Sequence, residues 1–491
     1  MNTQAYYHFL NNNYEACRNI VTKFLDLASA TGIHLTSPIV LCHGAAGALA
    51  DSKLDQADKY LEDMARYAHY SDWIFINFKI LRIWQALLEK NSSKALIEGE
   101  SVKAYVAESG MPMTDTLWYQ GMAIALHASG KPDEASRYLE QALSISSQAG
   151  FRQLAFGCYL TQAEFALDAG DETAARNSLQ KAMTIGKEQQ YVNTWLWRPD
   201  AITRLCCKAL EENIEVAYVQ DLILRRNLIP QSPPLEIENW PWPIRIYALG
   251  RFALIKDGNP LSFTKKAREK PLAMLKIIIA LGGRSVSENQ VADLLWPDAD
   301  GDAAHGAFKT NLHRLRNLLG YHEAIQLIGG EITLDPRYCW VDAWVFERML
   351  SKAERVWQSA VHEQDLQKAA DLTQKALEQY KGPLFQSDED MKAISHREYL
   401  QYRFIQAVEQ LGNYLQERKE WEKAIFLYEK GLKIDELVEP FYRGLMVCNH
   451  RIGGKTKALA VYDRCKKKLD EHVNTVPSAE TEALKNSLLN Q

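Results

Sequence analysis

The stretch AHGAFKTNLHRLRNLLG, residues 304–320, carries apolar residues at the spacing of a helix and basic residues where that helix cannot be core. At about 100° per residue, Ala304, Phe308, Leu312, Leu315 and Leu319 fall in one stripe and predict the buried face. Opposite them fall Gly306, Thr310, His313, Arg314 and Asn317, with Lys309 and Arg316 on the flanks. These side chains suit a DNA major groove: Arg and Lys donate to guanine, Asn pairs with adenine, and Thr takes hydroxyl or methyl contacts. Gly306 permits close backbone approach near the helix start, where free amides suit a phosphate. An exposed helix face in any protein is also polar, so the surroundings have to separate a reading face from a solvated one.

Upstream, EKPLAMLKIIIALGG (269–283) predicts a helix with Pro271 in its first turn, ended by a glycine pair. SENQVADLLW (287–296) predicts a second, with Ser287 as N-cap, Gln290 completing a capping box, and Pro297 as its stop. The third spans 302–319. Downstream, EAIQLIGGEITLD (323–335) has β-favouring runs on either side of Gly329 and Gly330, the pattern of a hairpin. IRIYALGRFALIKDGNPLSF (244–263) reads as short strands and turns. Strands, three helices and a hairpin within 244–342 predict a winged helix-turn-helix; an α+β domain of no special purpose is the bland alternative, and the order of elements favours the former.

Charge adds a locally basic strip. Between 261 and 284 lie Lys265, Lys266, Arg268, Lys270, Lys276 and Arg284 against Glu269 alone, and such a strip can contact phosphates without reading sequence. Residues 244–342 as a whole carry 13 basic and 11 acidic residues, so one copy should bind DNA modestly and pairing of copies would help. The full chain of 491 residues has 57 basic and 62 acidic residues and a formal net charge of -5, so any nucleic-acid affinity has to come from a local patch.

Helical signals fill both flanks. A theme recurs at NNNYEACRNIV (11–21), SKLDQADKYLEDM (52–64), GKPDEASRYLEQAL (130–143) and GDETAARNSLQKAM (170–183). Its small residue falls at Ala16, Ala57, Ala135 and Ala175, giving intervals of 41, 78 and 40, the middle one read as a doubled period. A period near 40 predicts stacked helix pairs with an extended concave surface of the kind that binds a ligand or partner. Five prolines in LIPQSPPLEIENWPWPIR (228–245) then mark a boundary. Beyond 343, WEKAIFLYEKGLKI (421–434) and GGKTKALAVYDRCKKKL (453–469) repeat after 34 residues, Ala424 to Ala458, the tetratricopeptide period; DLQKAADLTQKALEQY (365–380) is similar. The expected architecture is mainly α: a tetratricopeptide-like superhelix at 1–229, a Pro-rich linker at 230–243, a winged domain with small β-sheets at 244–342, and a second helical repeat domain at 343–491.

Other functions find little support. The eight cysteines are scattered without a CxxC pair, which fits buried free thiols in a reducing compartment, the cytoplasm. The first thirty residues lack a basic start and apolar run, and no uncharged apolar segment reaches membrane-spanning length, so neither export nor a membrane is expected. His43 in LCHGAAG reads as packed, His305 and His313 are eight apart and without an HExxH arrangement, and Trp195, Trp197 and Trp242 read as core or interface. No enzyme, cofactor or metal is expected. Aromatics such as Trp73, Trp84, Trp118 and Tyr119 could line a groove, but at helical spacing they read first as structural.

The run KPLAMLKIIIALGGRSVSENQVADLLWPDADGDAAHGAFKTNLHRLRNLLG (270–320), with GGEITLD (329–335) and CWVDAWVFERML (339–350), resembles the DNA-binding domain of the SARP group, related to the OmpR-type winged helix. YKGPLF (380–385), HREYLQYRF (396–404), EPFYRGLMVCNHRIGGKTKALAVYDRCKKKL (439–469) and PSAETEAL (477–484) resemble the bacterial transcriptional activation domain, a tetratricopeptide array. The first 230 residues resemble more loosely the repeats of the LuxR/MalT activators. The resemblance implies a recognition helix at 302–319 with Lys309, Thr310, His313, Arg314 and Asn317 as groove candidates; Arg316 on the flank joins the candidate set by its angle, and Lys265, Lys266 and Arg268 of the basic strip are the phosphate candidates. It also implies a wing turning at Gly329 and Gly330.

Partners implied are double-stranded promoter DNA, RNA polymerase, a second copy on DNA, and a small-molecule or protein ligand at the N-terminal repeats. Two departures stand out: the wing is short and carries Glu331 rather than a basic tip, and MKAISH (391–396) replaces a tryptophan frequent in relatives, so packing between winged and repeat domains is expected to differ. No GxxxxGK[ST] run occurs, so a nucleotide-hydrolysing module of the MalT kind would lie upstream of Met1, with this chain as the C-terminal portion of a longer protein. The expected function is a transcriptional regulator, an activator by resemblance. The rival is a helical-repeat scaffold whose winged domain binds protein; Lys309, Arg314 and Asn317 outside the core stripe lean towards DNA, since a scaffold would favour aromatics or methionines there.

Overall fold

A computed structural model describes residues 1–228, 230, 233–261, 269–386 and 395–490. Lys265, Lys266 and Arg268 of the basic strip, and 391–394 of the MKAISH segment, lie outside the described residues. The chain forms two compact units, Met1–Pro241 and Trp242–Gln491. The architecture is mainly α, with tetratricopeptide-like repeats, two small β-sheets and a second helical repeat region.

In the first unit consecutive helices pack as pairs: α1 (Asn2–Leu10) with α2 (Tyr14–Thr31), α3 (Ser37–Ala50) with α4 (Leu54–Ala65), and α5 (Asp72–Leu88) with α6 (Ser92–Glu100). After the short α7 (Lys103–Ser109) come α8 (Pro112–Ala128) with α9 (Pro132–Gln148), α10 (Arg152–Asp168) with α11 (Glu172–Gln189), and α12 (Pro199–Glu211) with α13 (Val216–Arg225). Second helices start on side-chain caps where the sequence supplies them, Asn13, Asn91 and Asp171 each accepting from an amide three residues on. Their fourth residue is small and buried: Ala57, Ala95, Ala135 and Ala175 are fully covered.

That register corrects the first member of the theme. Ala16 is the third helical residue and only half-buried, whereas the fourth, Cys17, is buried against α3, its Sγ meeting the carbonyl of His43 at 3.7 Å. The intervals over Cys17, Ala57, Ala95, Ala135 and Ala175 become 40, 38, 40 and 40. The doubled interval is therefore a true repeat, NSSKALIEGE at 91–100, whose Ala95 the sequence reading passed over.

A segment of the chain itself packs against the helices of this array. Between α11 and α12, residues Val192–Trp197 are all buried. Trp195 packs on Phe9 of α1 and Trp84 of α5 with ring centroids 5.1 and 6.2 Å away, and Trp84 Nε1 donates to the Trp197 carbonyl at 3.0 Å. Asn193 Nδ2 donates to the Phe9 carbonyl at 2.8 Å, and a Cβ at Gly157 of α10 would meet Thr194 Oγ1 at 2.7 Å. This explains why α3, α8 and α10 are buried on most sides: each meets its partner helix on one face and the neighbouring repeats or this segment on others. Of the residues expected to form a linker, Leu235, Ile237 and Trp240 are buried, and Asn239 exchanges hydrogen bonds with Gln220 and Leu210.

The second unit opens with β1 (Ile244–Tyr247), β2 (Ala253–Lys256) and β3 (Asn259–Pro260), an antiparallel run completed by β7 (Cys339–Val341) parallel to β1. Between β3 and β7 lie α14 (Glu269–Ala280), β4 (Val286–Ser287), α15 (Glu288–Leu295), α16 (Gly301–Leu319), β5 (Ile325–Ile328) and β6 (Glu331–Leu334), with β4, β6 and β5 forming a three-stranded sheet. Gly282 and Gly283 at φ +97° and +73° end the excursion from α14. Ser287 occupies the N-cap position of α15, but no side-chain cap bond forms there, so the expected capping box is absent. Ser287 is instead a strand residue paired with Glu331, and the amide of Glu288 donates to the Gly330 carbonyl at 2.9 Å.

β7 runs without a break into α17 (Asp342–Ser359), followed by α18 (Glu363–Gln379), α19 (Ser395–Glu417), α20 (Trp421–Ile434), α21 (Glu439–Gly453), α22 (Lys455–Val473) and α23 (Ala479–Asn490). The winged part and these helices share one unit. The Asp342 carboxylate accepts from the amides of Ala248 and Leu249 at 2.8 and 3.0 Å, and the 248–250 backbone pairs with 383–386.

Candidate nucleic-acid interface

α16 begins at Asp300, whose Oδ1 accepts from the amide of Ala303 at 2.8 Å, and ends at Gly320 in the left-handed conformation, φ +79°. All five stripe residues, Ala304, Phe308, Leu312, Leu315 and Leu319, are buried where α16 packs on α14 and α15. His305 Nδ1 lies 2.5 Å from Glu288 Oε1, a further tie between α15 and α16.

The opposite face is solvent-exposed. Lys309, Thr310, His313, Arg314 and Asn317 all lie on it. Thr310 Oγ1 donates back to the Gly306 carbonyl at 3.0 Å, the ordinary resting bond of a helical threonine. Asn317 Nδ2 is 3.0 Å from His313 Nε2, so these two side chains present their polar atoms side by side, one turn apart. Among the described residues neither Lys309 nor Arg314 has a carboxylate within ion-pair distance. Two exposed cations without a counterion make this face locally positive.

Arg316 is different. It is half-buried, and its Nε and Nη2 both donate to the Ile325 carbonyl, at 3.1 and 2.8 Å. Its guanidinium is spent on the first residue of β5, so it ties the hairpin to the helix. This engagement counts against the base-reading role expected of Arg316.

The hairpin turns on Gly329 and Gly330 at φ +60° and +81°, two consecutive positive values that any side chain would strain and that join β5 to β6 in a two-residue turn. Its tip presents Ile328, 72% exposed, beside exposed Glu331. The tip is thus apolar and acidic rather than basic. Of the basic strip, Arg284 is exposed, Lys270 Nζ donates to the Leu295 carbonyl at 3.1 Å, and Lys276 lies over the Phe252 ring at 4.5 Å. Lys270 and Lys276 are therefore engaged within the domain, a use of lysine that local charge counting cannot distinguish from phosphate contact.

Tyr321, just beyond α16, donates its hydroxyl to Asp257 at 2.5 Å; the neighbouring carboxylate pushes the phenol up to about 12. This bond links the end of the helix to the β2–β3 turn. Among the described residues no group of three or more His, Cys, Asp or Glu side chains could hold a metal ion, and no helix is long and apolar enough to cross a membrane.

The family model of the bacterial transcriptional activator domain matches residues 341–489, which begin in β7 and run into α23. No curated protein matches the chain. Among solved structures, the chain is similar to EmbR of Mycobacterium tuberculosis in complex with a low affinity phosphopeptide, at 18% identity and a TM-score of 0.40. That likeness covers 51% of this chain and 65% of EmbR, so the match spans less than two thirds of that protein's length. It is also similar to the apo quorum sensor NprR of B. thuringiensis, at 10% identity and TM-score 0.30, covering 92% of this chain and 97% of that one. The tetratricopeptide domain of P58(IPK) gives 12% identity and TM-score 0.22, covering 96% and 97%.

Proposed function

We propose that this chain is a DNA-binding transcriptional regulator, an activator, that reads promoter DNA with α16 and meets RNA polymerase or a second copy through its helical repeats. The observation that carries the reading is the division of α16: a fully buried stripe on one side, and on the other Lys309, Thr310, His313, Arg314 and Asn317 exposed, with no carboxylate on either cation among the described residues. The family match over 341–489 supports the regulatory half of the reading. Gly329 and Gly330 carry the wing to the adjacent groove or backbone, and Arg316 sets its angle. Lys265, Lys266 and Arg268 are assigned to phosphates, which position the protein without reading sequence. The working compartment is the cytoplasm.

The test is fluorescence anisotropy of the chain on promoter DNA of neighbouring genes, across salt, with Arg314→Ala and Asn317→Ala alone and together. Each substitution should cost about 1–3 kcal/mol and relax specificity at one base position, with affinity falling as salt rises. Binding equal on every DNA and indifferent to both substitutions would sink the reading. The second reading, a repeat scaffold, draws on Phe426, 71% exposed on α20, and Tyr402, exposed on α19, both of the type that anchor protein partners.

A further inference from the structure

In the first unit a cavity of about 650 Å³ opens where the α1–α2 turn, the end of α3 and the helices α12 and α13 come together. Asn12, Tyr14, Trp197, Thr203, Arg226 and Leu228 are among its lining residues. The volume lies in the range of small-molecule sites, roughly 300–1,000 Å³.

Arg226 is unusual on that wall. Its guanidinium stacks on Trp197, 3.9 Å from the ring centroid, with Tyr14 at 5.2 Å. Nη1 reaches Asn12 Oδ1 at 2.9 Å, Asn193 Oδ1 at 3.1 Å and the Tyr14 hydroxyl, and Nη2 donates to the Ala50 carbonyl at 3.0 Å. Every one of these partners is uncharged.

The other charges of the lining are balanced. Asp51 is held by Arg18 and Lys53 at 2.8 and 2.9 Å, Arg204 by Asp168 at 2.8 Å, Asp200 by Lys90 at 3.3 Å, and Arg225 by Asp221 at 3.4 Å. Arg226 alone has no counterion among the described residues, and burial pulls it down from its usual range to about 9. A desolvated cation satisfied only by neutral acceptors is a standing cost that an anion would relieve. Its Nε–H makes no hydrogen bond to a described residue, which leaves the Nε edge of the planar fork for a carboxylate. One missing charge matches a monoanion; a dianionic phosphate would overshoot it.

We infer that this cavity binds a small organic monocarboxylate, its carboxylate on Arg226 and its body against the apolar lining at Leu228. Such a ligand would bridge the first helix pairs of the array to the last. The assignment concerns the first unit and does not depend on DNA binding.

The experiment is thermal unfolding and titration calorimetry of the whole chain at constant ionic strength. The probes are sodium benzoate against benzamide, acetyl-Ala-Ala-Phe with a free against an amidated C-terminus, and inorganic phosphate. A carboxylate that raises the melting temperature and binds at least tenfold more tightly than its amide supports the inference, and the arm that responds tells a free acid from a peptide terminus. Arg226→Met should abolish that difference, and Arg226→Lys should retain part of it. The wild-type acid-against-amide comparison stands even if the Met variant does not fold. Acid and amide behaving alike in both arms, or phosphate matching the acids, would overturn it and leave Arg226 as a brace between the ends of the array.

Discussion

The helix pairs of the first unit and those that end the second share one device and finish differently. In both, the second helix of a pair buries a small fourth residue, Ala57, Ala95, Ala135 and Ala175 in the one, Ala424 and Ala458 in the other, because only a small side chain lets two helices approach there. The first array then buries Val192–Trp197 against its helices and closes with Arg226, which hydrogen-bonds residues more than 170 positions away. The last array packs on glycines around one aromatic, Tyr428, with Gly412 and Gly444 facing its ring, and leaves Phe426 in solvent. A similar local pattern thus ends in an array packed on a buried segment of its own chain in one case and in an array closed on glycines, with Phe426 exposed, in the other.

The largest effect is expected from emptying the core around the buried segment of the first array. Trp197→Ala deletes a fully covered indole and should cost about 3–5 kcal/mol in urea denaturation, with the loss confined to the transition of the first unit. A loss below 1 kcal/mol would mean that the segment decorates the array without holding it.

Acid should weaken the same unit. Burial holds His43 of α3 down at about 4, against an ordinary 6.5, and its Nδ1 is buried without a partner among the described residues. The unfolded chain therefore takes a proton between pH 6.5 and 4 that the folded chain refuses. Its share of stability is intact above 6.5, falls as pH drops, and levels off below about 4, a loss of at most about 3–4 kcal/mol. Chemical denaturation from pH 7 to 4 should show this window in the wild type and not in His43→Asn; identical pH profiles would refute it.

In the second unit the glycine device is the weak point. Gly444→Ala drives a methyl into the Tyr428 ring and should cost about 1–3 kcal/mol, whereas Phe426→Ser on the same array should change stability by no more than about 0.5 kcal/mol. If the serine variant is as damaging as the alanine, Phe426 is covered in solution and the comparison fails on its open side.

What was legible in the sequence was local. The stripe of α16 and the glycine turn of the hairpin rest on spacings within a few turns of chain, where backbone geometry alone decides which side chains share a face, and the small-residue period repeats such a local pattern. Ala95 was legible too, since NSSKAL has the same cap and small residue as its neighbours, but its helix is short and breaks the longer pattern. The exposed set on α16 could be selected by angle, whereas Arg316 stands at the same kind of angle and is bound to Ile325, a partner supplied by the returning hairpin.

The remaining features belong to tertiary structure. Whether Ser287 caps a helix or pairs in a strand, whether Lys276 lies over Phe252 or meets a phosphate, and whether Trp197 is exposed or buried depend on groups that arrive from distant parts of the chain. The amino-acid sequence by itself determined which residues must leave water, because hydrophobic periodicity is a property of neighbours. Only the tertiary structure decided which polar groups were left without partners, because a charge is balanced or unbalanced by whatever the fold brings beside it.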